Sequence, residues 1–352
     1  MANLASPFSP FLLKESQNLD INWPPRRGRS HIVPVFLPFR GCPVRCVFCA
    51  QARQTGHKEG QALAPLLAAA RARLETLSAR PGTTGLPELA FYGGTFTALP
   101  QGELDICLEF ANGLVTCGLV GQWRCSTRPD CVSPEVLERL AGSGCATVEL
   151  GVQSFATEAL QEARRGYDGE QAANACKAVR QAGLRLGVQL LPGMPGTTPE
   201  IFLEDVSRAL ALGAQLLRFY PCLVLEGTGL AAMWREGTFA PWEFAPTLDA
   251  LTRGWLVAHE ARVPVVRMGL APEPELANGI LAGPVHPALG DMVLGRALLH
   301  LVREAARAAG FTNLPGLDVP RHCQGFFWGH RGALAEAWQE LGLHRGNVRF
   351  VG

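Results

Sequence analysis

"GCPVRCVFC", Gly41–Cys49, places three of the chain's eleven cysteines within eight residues. It follows directly on the apolar run "HIVPVFLPF" (31–39), so the thiols sit on a loop at the end of an expected strand. A disulfide uses two thiols and a structural zinc site uses four ligands. An iron–sulfur cluster is normally held by four thiolates, one per iron in the cubane. Three ligands on one short loop would hold three irons and leave the fourth open to an exogenous ligand. A catalytic zinc ion keeps an open position for the same reason. Zinc with a remote fourth ligand and incidentally buried thiols are the competing readings. The C-x₃-C-x₂-C spacing, with Phe48 before the last cysteine, favours the cluster and makes Cys42, Cys46 and Cys49 its metal ligands. The other eight cysteines, Cys125, Cys131 and Cys222 among them, are scattered and read as small hydrophobes. His322-Cys323 has no second cluster nearby in the sequence to complete a metal site.

Outward from this loop, short apolar runs alternate with helical patterns. Residues 31–39, 88–96, 123–130, 146–154, 184–193 and 216–225 read as buried parallel strands. Between them, Leu63, Leu66, Leu67, Ala70, Leu74 and Leu77 keep helical spacing on one face. Ser133-Pro134-Glu135 and Thr198-Pro199-Glu200 each supply an N-cap, a first-turn proline and an acid matched to the helix dipole. Gly166, Gly183 and Gly213 read as helix stops. Six strand–helix alternations predict an α/β fold with a parallel sheet, in an open or complete barrel. In such a barrel the loops after the strands form the active face, where the three cysteines lie. After about residue 270 a Pro/Gly-rich stretch leads into the helical pattern "DMVLGRALLHLVREAARAAG". The expected organisation is an N-terminal arm (1–30), a barrel (31–270) and a mainly helical C-terminal extension (271–352).

The 352 residues are 47% hydrophobic and 18% charged, enough for a large core, and the formal net charge is +1. No basic field follows from that balance, so RNA contact would need a local patch such as Arg26, Arg27 and Arg29. Eleven cysteines in so long a chain do not make a secreted disulfide scaffold. The N-terminus lacks a cationic start and a sustained apolar run, and no stretch of about 18 apolar residues occurs. A cytoplasmic protein with reduced thiols and no membrane partner is expected.

The chain resembles the radical S-adenosylmethionine (SAM) enzymes. More narrowly, it is similar to the radical SAM module of the Elongator catalytic subunit and its bacterial relatives. "GCPVRCVFC", "FYGGTFTALP", "STRPD", "ELGVQSF", "LLPGMPGTT" and "RFYPCLVLEGTGLAAMWREG" carry the resemblance, in family order over about residues 31–270. "GPVHPALGDMV" resembles the C-terminal extension of some of those relatives. The resemblance implies an α/β partial (β/α)6-type barrel, a 4Fe–4S cluster whose open iron is chelated by SAM, and reductive cleavage of SAM to methionine and a 5′-deoxyadenosyl radical. It also implies an electron donor such as flavodoxin or ferredoxin.

In the family, the segment matching Gly93-Gly94-Thr95 meets the SAM amino group, and glycine permits close backbone approach. Thr95 stands where many members carry an acid. Ser126 and Arg128 end the third strand. Glu149 and Gln153, four apart, are expected on one side of the fourth, where a bound ligand or an internal polar network must satisfy them. Arg165 follows Gln153 by twelve residues, a spacing that resembles the family's carboxylate-binding arginine, with Arg164 as the competing choice. Gln189 matches a ribose-binding position that is often acidic. Tyr220, Asp130, Arg267 and His286 are further active-face candidates.

For substrate, the resemblance points to wobble-uridine modification in tRNA. The alternatives are a small molecule, as in relatives of the oxygen-independent coproporphyrinogen oxidase, and a non-catalytic iron–sulfur or zinc protein. No acetyl-CoA motif is recognisable in the roughly 80 residues after the expected barrel, against a background of ordinary domain lengths.

Overall fold

The computed structural model describes residues 19–26, 31–56, 59–78, 85–270 and 274–352. Compactness divides the chain into two units, residues 27–290 and residues 1–26 together with 291–352.

In the first unit, seven strands form one parallel sheet. They are β1 (Ile32–Phe36), β2 (Glu88–Tyr92), β3 (Gln122–Thr127), β4 (Cys145–Gln153), β5 (Arg185–Leu190), β6 (Leu216–Phe219) and, after the short strand β7 (Val224–Leu225), β8 (Val265–Met268). The order β1-β2-β3-β4-β5-β6-β8 makes every neighbour sequential in the sheet, the pattern of a curled half-barrel. Burial on both faces of β2 and β6 accounts for their continuous apolar runs. The seventh strand was not expected from the sequence. It is a four-residue edge whose Val266 is 48% exposed, so it lacks the apolar continuity that marks its neighbours. β7 pairs instead with β9 (Ile280–Ala282), antiparallel.

Helices follow the strands as their punctuation predicts. The hydroxyls of Ser133 and Thr198 accept the N–H groups of Val136 and Ile201, each at 3.3 Å. Asp168 and Thr228 cap two more helices in the same way. Helix Leu63–Ser78 buries Leu67, Ala70 and Leu74.

The second unit is built on the helix Leu289–Ala308, with a parallel pair of strands, β10 (Leu317–Pro320) and β11 (Val348–Val351). Its core includes Leu298, Val302, Val319 and a stacked Phe327–Trp338 pair with centroids 4.1 Å apart. Ile21, from the segment expected to be an arm, is buried in this core, and the carbonyl of Pro24 meets His322 Nε2 at 2.8 Å. Arg26 is exposed, while Arg27 and Arg29 lie outside the described residues. No helix among the described residues is long and apolar enough to cross a membrane.

Candidate functional site

The cysteine loop is held by interlocking with the loop after β2. Thr95 N donates to Arg40 O at 2.7 Å, and Leu37 N donates to Tyr92 O at 2.8 Å. Gln51, at the start of helix Gln51–Thr55, places Oε1 between the N–H groups of Phe39 (2.5 Å) and Gly94 (2.7 Å). Two glycines make the approach possible. A Cβ on Gly94 would stand 2.3 Å from Arg40 O, and one on Gly41 would stand 2.4 Å from Thr95 O. Both have left-handed φ, +63° and +68°. The Gly-Gly pair was expected to admit a ligand. At Gly94 the close neighbour is the cysteine loop itself, while Gly93 has ordinary space.

A cavity of about 480 Å³ opens at this end of the barrel. Cys42, Cys46 and Cys49 line it, as do Gly93, Gly94 and Ser126. Arg128, Gln153, Arg165 and Gln189 stand in its polar wall, together with Tyr92 and Arg218. Of the expected site residues, Thr95 and Glu149 do not line it. Thr95 acts one step back, its Oγ1 3.3 Å from Cys42 Sγ. Burial pushes the Cys49 thiol up to about 12, with the neighbouring Cys46 and Cys42 adding to the effect. Burial also raises Cys42, against the pull of the Thr95 bond. Any metal centre taking them as thiolates must displace those protons. Among the described residues, no three His, Cys, Asp or Glu side chains are grouped to hold a single metal ion.

Arg165 and Arg128 converge on Cys46. Arg165 Nη1 lies 3.0 Å from Cys46 Sγ, and Arg128 Nη1 lies 3.6 Å from it. Asp130 accepts two bonds from Arg128, at 2.9 and 2.7 Å. Arg164, the competing choice, is exposed, with φ +53°. Gln153 has φ +70°, and the β4–β5 register shifts before it, so strict strand alternation from Glu149 does not reach it. Its side chain lines the cavity because of that turn in the backbone.

Glu149 belongs to an internal network across the barrel lumen. Its Oε2 accepts from Arg218 Nε (2.5 Å) and Gln189 Nε2 (3.0 Å). Its Oε1 accepts from Arg218 Nη2 (2.9 Å), Arg124 Nη1 (3.1 Å) and Tyr92 OH (3.1 Å). Arg124 also pairs with Glu88 at 2.5 Å. Burial alone would raise the Glu149 carboxyl, but Arg218, Arg124 and the Gln189 bond outweigh it and hold it below the usual range. The two carboxylates and two guanidiniums cancel in charge. Gly187, opposite Glu149 in the register, leaves room for its side chain.

Arg124, Arg218, Tyr92 and Glu88 were not singled out from the sequence. The signal was present, since "WRCS" and "LLRF" each carry an arginine inside a buried strand, the feature that drew attention to Glu149. Tyr220 and Arg267 line the cavity. His286 does not: its Nδ1 accepts from Ala288 N, and its ring faces Phe244. Cys107, Cys125, Cys145, Cys176, Cys222 and Cys323 are buried as expected of small hydrophobes, whereas Cys117 is exposed. Cys222 also lines the cavity.

Residues 36–209 match the radical SAM superfamily, and residues 214–297 match the radical SAM C-terminal domain. With this half-barrel, the chain belongs to the radical SAM superfamily and is an enzyme of that type. Within it, the chain is 30% identical over 205 residues to a tRNA uridine(34) acetyltransferase of Methanocaldococcus infernus, covering 52% of this chain and 38% of that one. It is 28% identical over 249 residues to the tRNA uridine(34) acetyltransferase of Dehalococcoides mccartyi, covering 61% and 54%. Elongator complex protein 3 of Schizosaccharomyces pombe is 26% identical over 206 residues, covering 52% and 38%. The chain thus spans roughly two fifths to half of these curated relatives on the scale at which domains are counted. Among solved structures, archaeal Methanocaldococcus infernus Elp3 with an N-terminal deletion (1-46) superposes with a TM-score of 0.57 at 22% identity. That match covers 80% of this chain and 63% of that one, and it shares the fold.

Proposed function

We propose that Cys42, Cys46 and Cys49 hold a 4Fe–4S cluster, that SAM binds in the same cavity, and that the enzyme cleaves SAM reductively to modify the wobble uridine of a tRNA. The observation that carries this is the sharing of one cavity by the three thiols, the Gly93-Gly94 backbone and two buried guanidiniums. The donor set suits a cluster. Three thiols of one loop that face one cavity can each take a separate iron of a cubane and leave the fourth iron to an exogenous ligand. When bound, the cluster supplies the electron that breaks a carbon–sulfur bond of SAM, releasing methionine and the 5′-deoxyadenosyl radical.

The chain's own residues bind, orient and exclude water. Gly93, Gly94 and Thr95 fix the cysteine loop and offer backbone polar groups to the SAM amine. Arg165 and Arg128 bring the positive charge that thiolates and a SAM carboxylate both require. Ser126, Gln153 and Gln189 present hydroxyl and amide groups to the adenosine portion. Glu149 acts from behind by holding Gln189 and Arg218. Phe36, Leu191 and Leu223 line the cavity and keep water from a reactive intermediate. The tRNA assignment is supported by the names of the relatives above. A flavodoxin or ferredoxin is the class of donor proposed, and the cytoplasm the compartment, where thiols stay reduced.

Anaerobic reconstitution tests the cluster. The unmutated chain should take up iron and sulfide, and Cys42→Ala, Cys46→Ala and Cys49→Ala should each lose most of it, while Cys107→Ala should not. With dithionite and SAM, the iron-loaded chain should release 5′-deoxyadenosine. Iron retention by Cys49→Ala, or no cleavage product under several reductants, would refute the proposal. Nucleoside analysis of tRNA after incubation tests the substrate.

A further inference from the structure

The three thiols of the loop meet different surroundings. Cys42 faces a neutral hydroxyl, Thr95 Oγ1, at 3.3 Å. Cys46 instead faces two guanidiniums, Arg165 at 3.0 Å and Arg128 at 3.6 Å. The charge of Arg128 is matched by Asp130. That of Arg165 is not, since its other hydrogen-bond partners are the Gly151 carbonyl and the Tyr167 hydroxyl, both neutral. Tyr167 OH lies 2.9 Å from Gly151 O, to which it donates, so it meets Arg165 as an acceptor and fixes the fork. Arg165 is 4% exposed and Cys46 is 9% exposed, so little water screens the pair.

We propose that Arg165 is a positioning residue that sets the reduction potential of the cluster through Cys46, supported by the Arg128–Asp130 pair. This rests on the reading of the loop as a cluster site. Adding an electron makes the cluster and its thiolates more negative. A buried cation and an N–H···S bond stabilise that reduced form more than the oxidised one, so the potential rises. Because Cys46 alone receives charged donors among the hydrogen bonds described for the three sulfurs, the stabilisation is one-sided. A role confined to the SAM carboxylate would leave the potential without SAM unchanged.

The test is a potentiometric titration, read by electron paramagnetic resonance, of the reconstituted full chain without SAM and then with it. Iron and sulfide are measured in parallel. Arg165→Gln should disfavour reduction at least tenfold without SAM, a midpoint about 59 mV more negative for a one-electron couple. Arg165→Lys, which keeps the charge but not the fork, should recover part of the shift. Arg128→Gln with Asp130→Asn, a charge-neutral exchange, should shift the midpoint less and in the same direction. An unchanged midpoint in iron-replete Arg165→Gln overturns the proposal, as does a shift seen only with SAM. If Arg165→Gln does not retain iron, the sign of the shift in the Arg128/Asp130 double variant decides: negative supports, zero or positive overturns. Failure of the unmutated chain to take up iron would instead remove the cluster reading itself.

Discussion

Replacing Glu149 with Gln should destabilise the protein by about 3–5 kcal/mol, the scale for leaving a buried ion without its partner. Glu149 is fully buried and faces two guanidiniums. Arg124 keeps Glu88 at 2.5 Å after the change. Arg218 keeps no carboxylate, only neutral acceptors: the hydroxyls of Tyr92 and Tyr220, at 2.8 and 3.3 Å, and one amide oxygen. The new amide would also turn its NH₂ toward a donor that the carboxylate had satisfied. Removing both charges, in Glu149→Leu with Arg218→Met, leaves the Glu88–Arg124 pair neutral. The double variant should therefore lose less than the sum of its singles, with a coupling of about 1–3 kcal/mol. Urea unfolding followed by circular dichroism is the assay. For an m-value of about 3 kcal/mol/M, Glu149→Gln should lower the midpoint by about 1–1.7 M. A loss under about 1 kcal/mol, or strict additivity in the cycle, would refute the reasoning. The pH dependence has a definite sign. The Glu149 carboxyl is held low when folded, so its contribution is present above the ordinary carboxylate range and is lost as pH falls through the folded value.

Gly94→Ala should abolish iron uptake, because its Cβ would stand 2.3 Å from Arg40 O at the base of the cysteine loop. Gly93→Ala, whose nearest contact is 3.5 Å, should cost only the left-handed strain of about 1–2 kcal/mol and keep iron; equal iron content in the two variants would contradict this. Asp205 carries the opposite pH sign from Glu149. Burial pushes its carboxyl up to about 6, against the Phe155 N–H bond at 2.7 Å and the Ser154 hydroxyl. The folded chain thus holds this proton more tightly than the unfolded one, which favours folding below about pH 4, fades towards pH 6 and leaves a cost at neutrality. Asp205→Asn keeps an acceptor for both donors and should gain about 2–3 kcal/mol near pH 7.5 relative to pH 4. A pH-independent difference between variant and parent would count against it.

The barrel was legible because its strands are buried on both faces and so read as apolar runs, and because proline and capping residues mark the helix starts. β8 escaped because an exposed edge of four residues carries no such signal. The cysteine loop announced itself by spacing alone. The choice between Arg164 and Arg165 did not, since it depends on the backbone reversal at Arg164, whose φ is +53°. Glu149 was recognised as a charge needing partners. Its partners were not, because Arg124 and Arg218 lie 25 and 69 residues away and meet it only through the strand register. Gln153 was placed in the cavity for a reason that the structure replaces: a left-handed residue at the strand end, not alternation, turns it inward.

The pairing of Glu149 with Gly187 has a consequence for how this sequence can drift. A Cβ on Gly187 would stand 2.9 Å from Glu149 Cγ and 2.7 Å from Leu216 Cδ1, so any larger residue there invades the space the carboxylate arm occupies. A lineage cannot enlarge position 187 and keep the glutamate. It can do so after position 149 has shortened, and Arg218 must then have lost its charge or found another anion. Three positions on three adjacent strands therefore behave as one inherited unit, with the glycine, chemically the most silent of them, as the member that must move last.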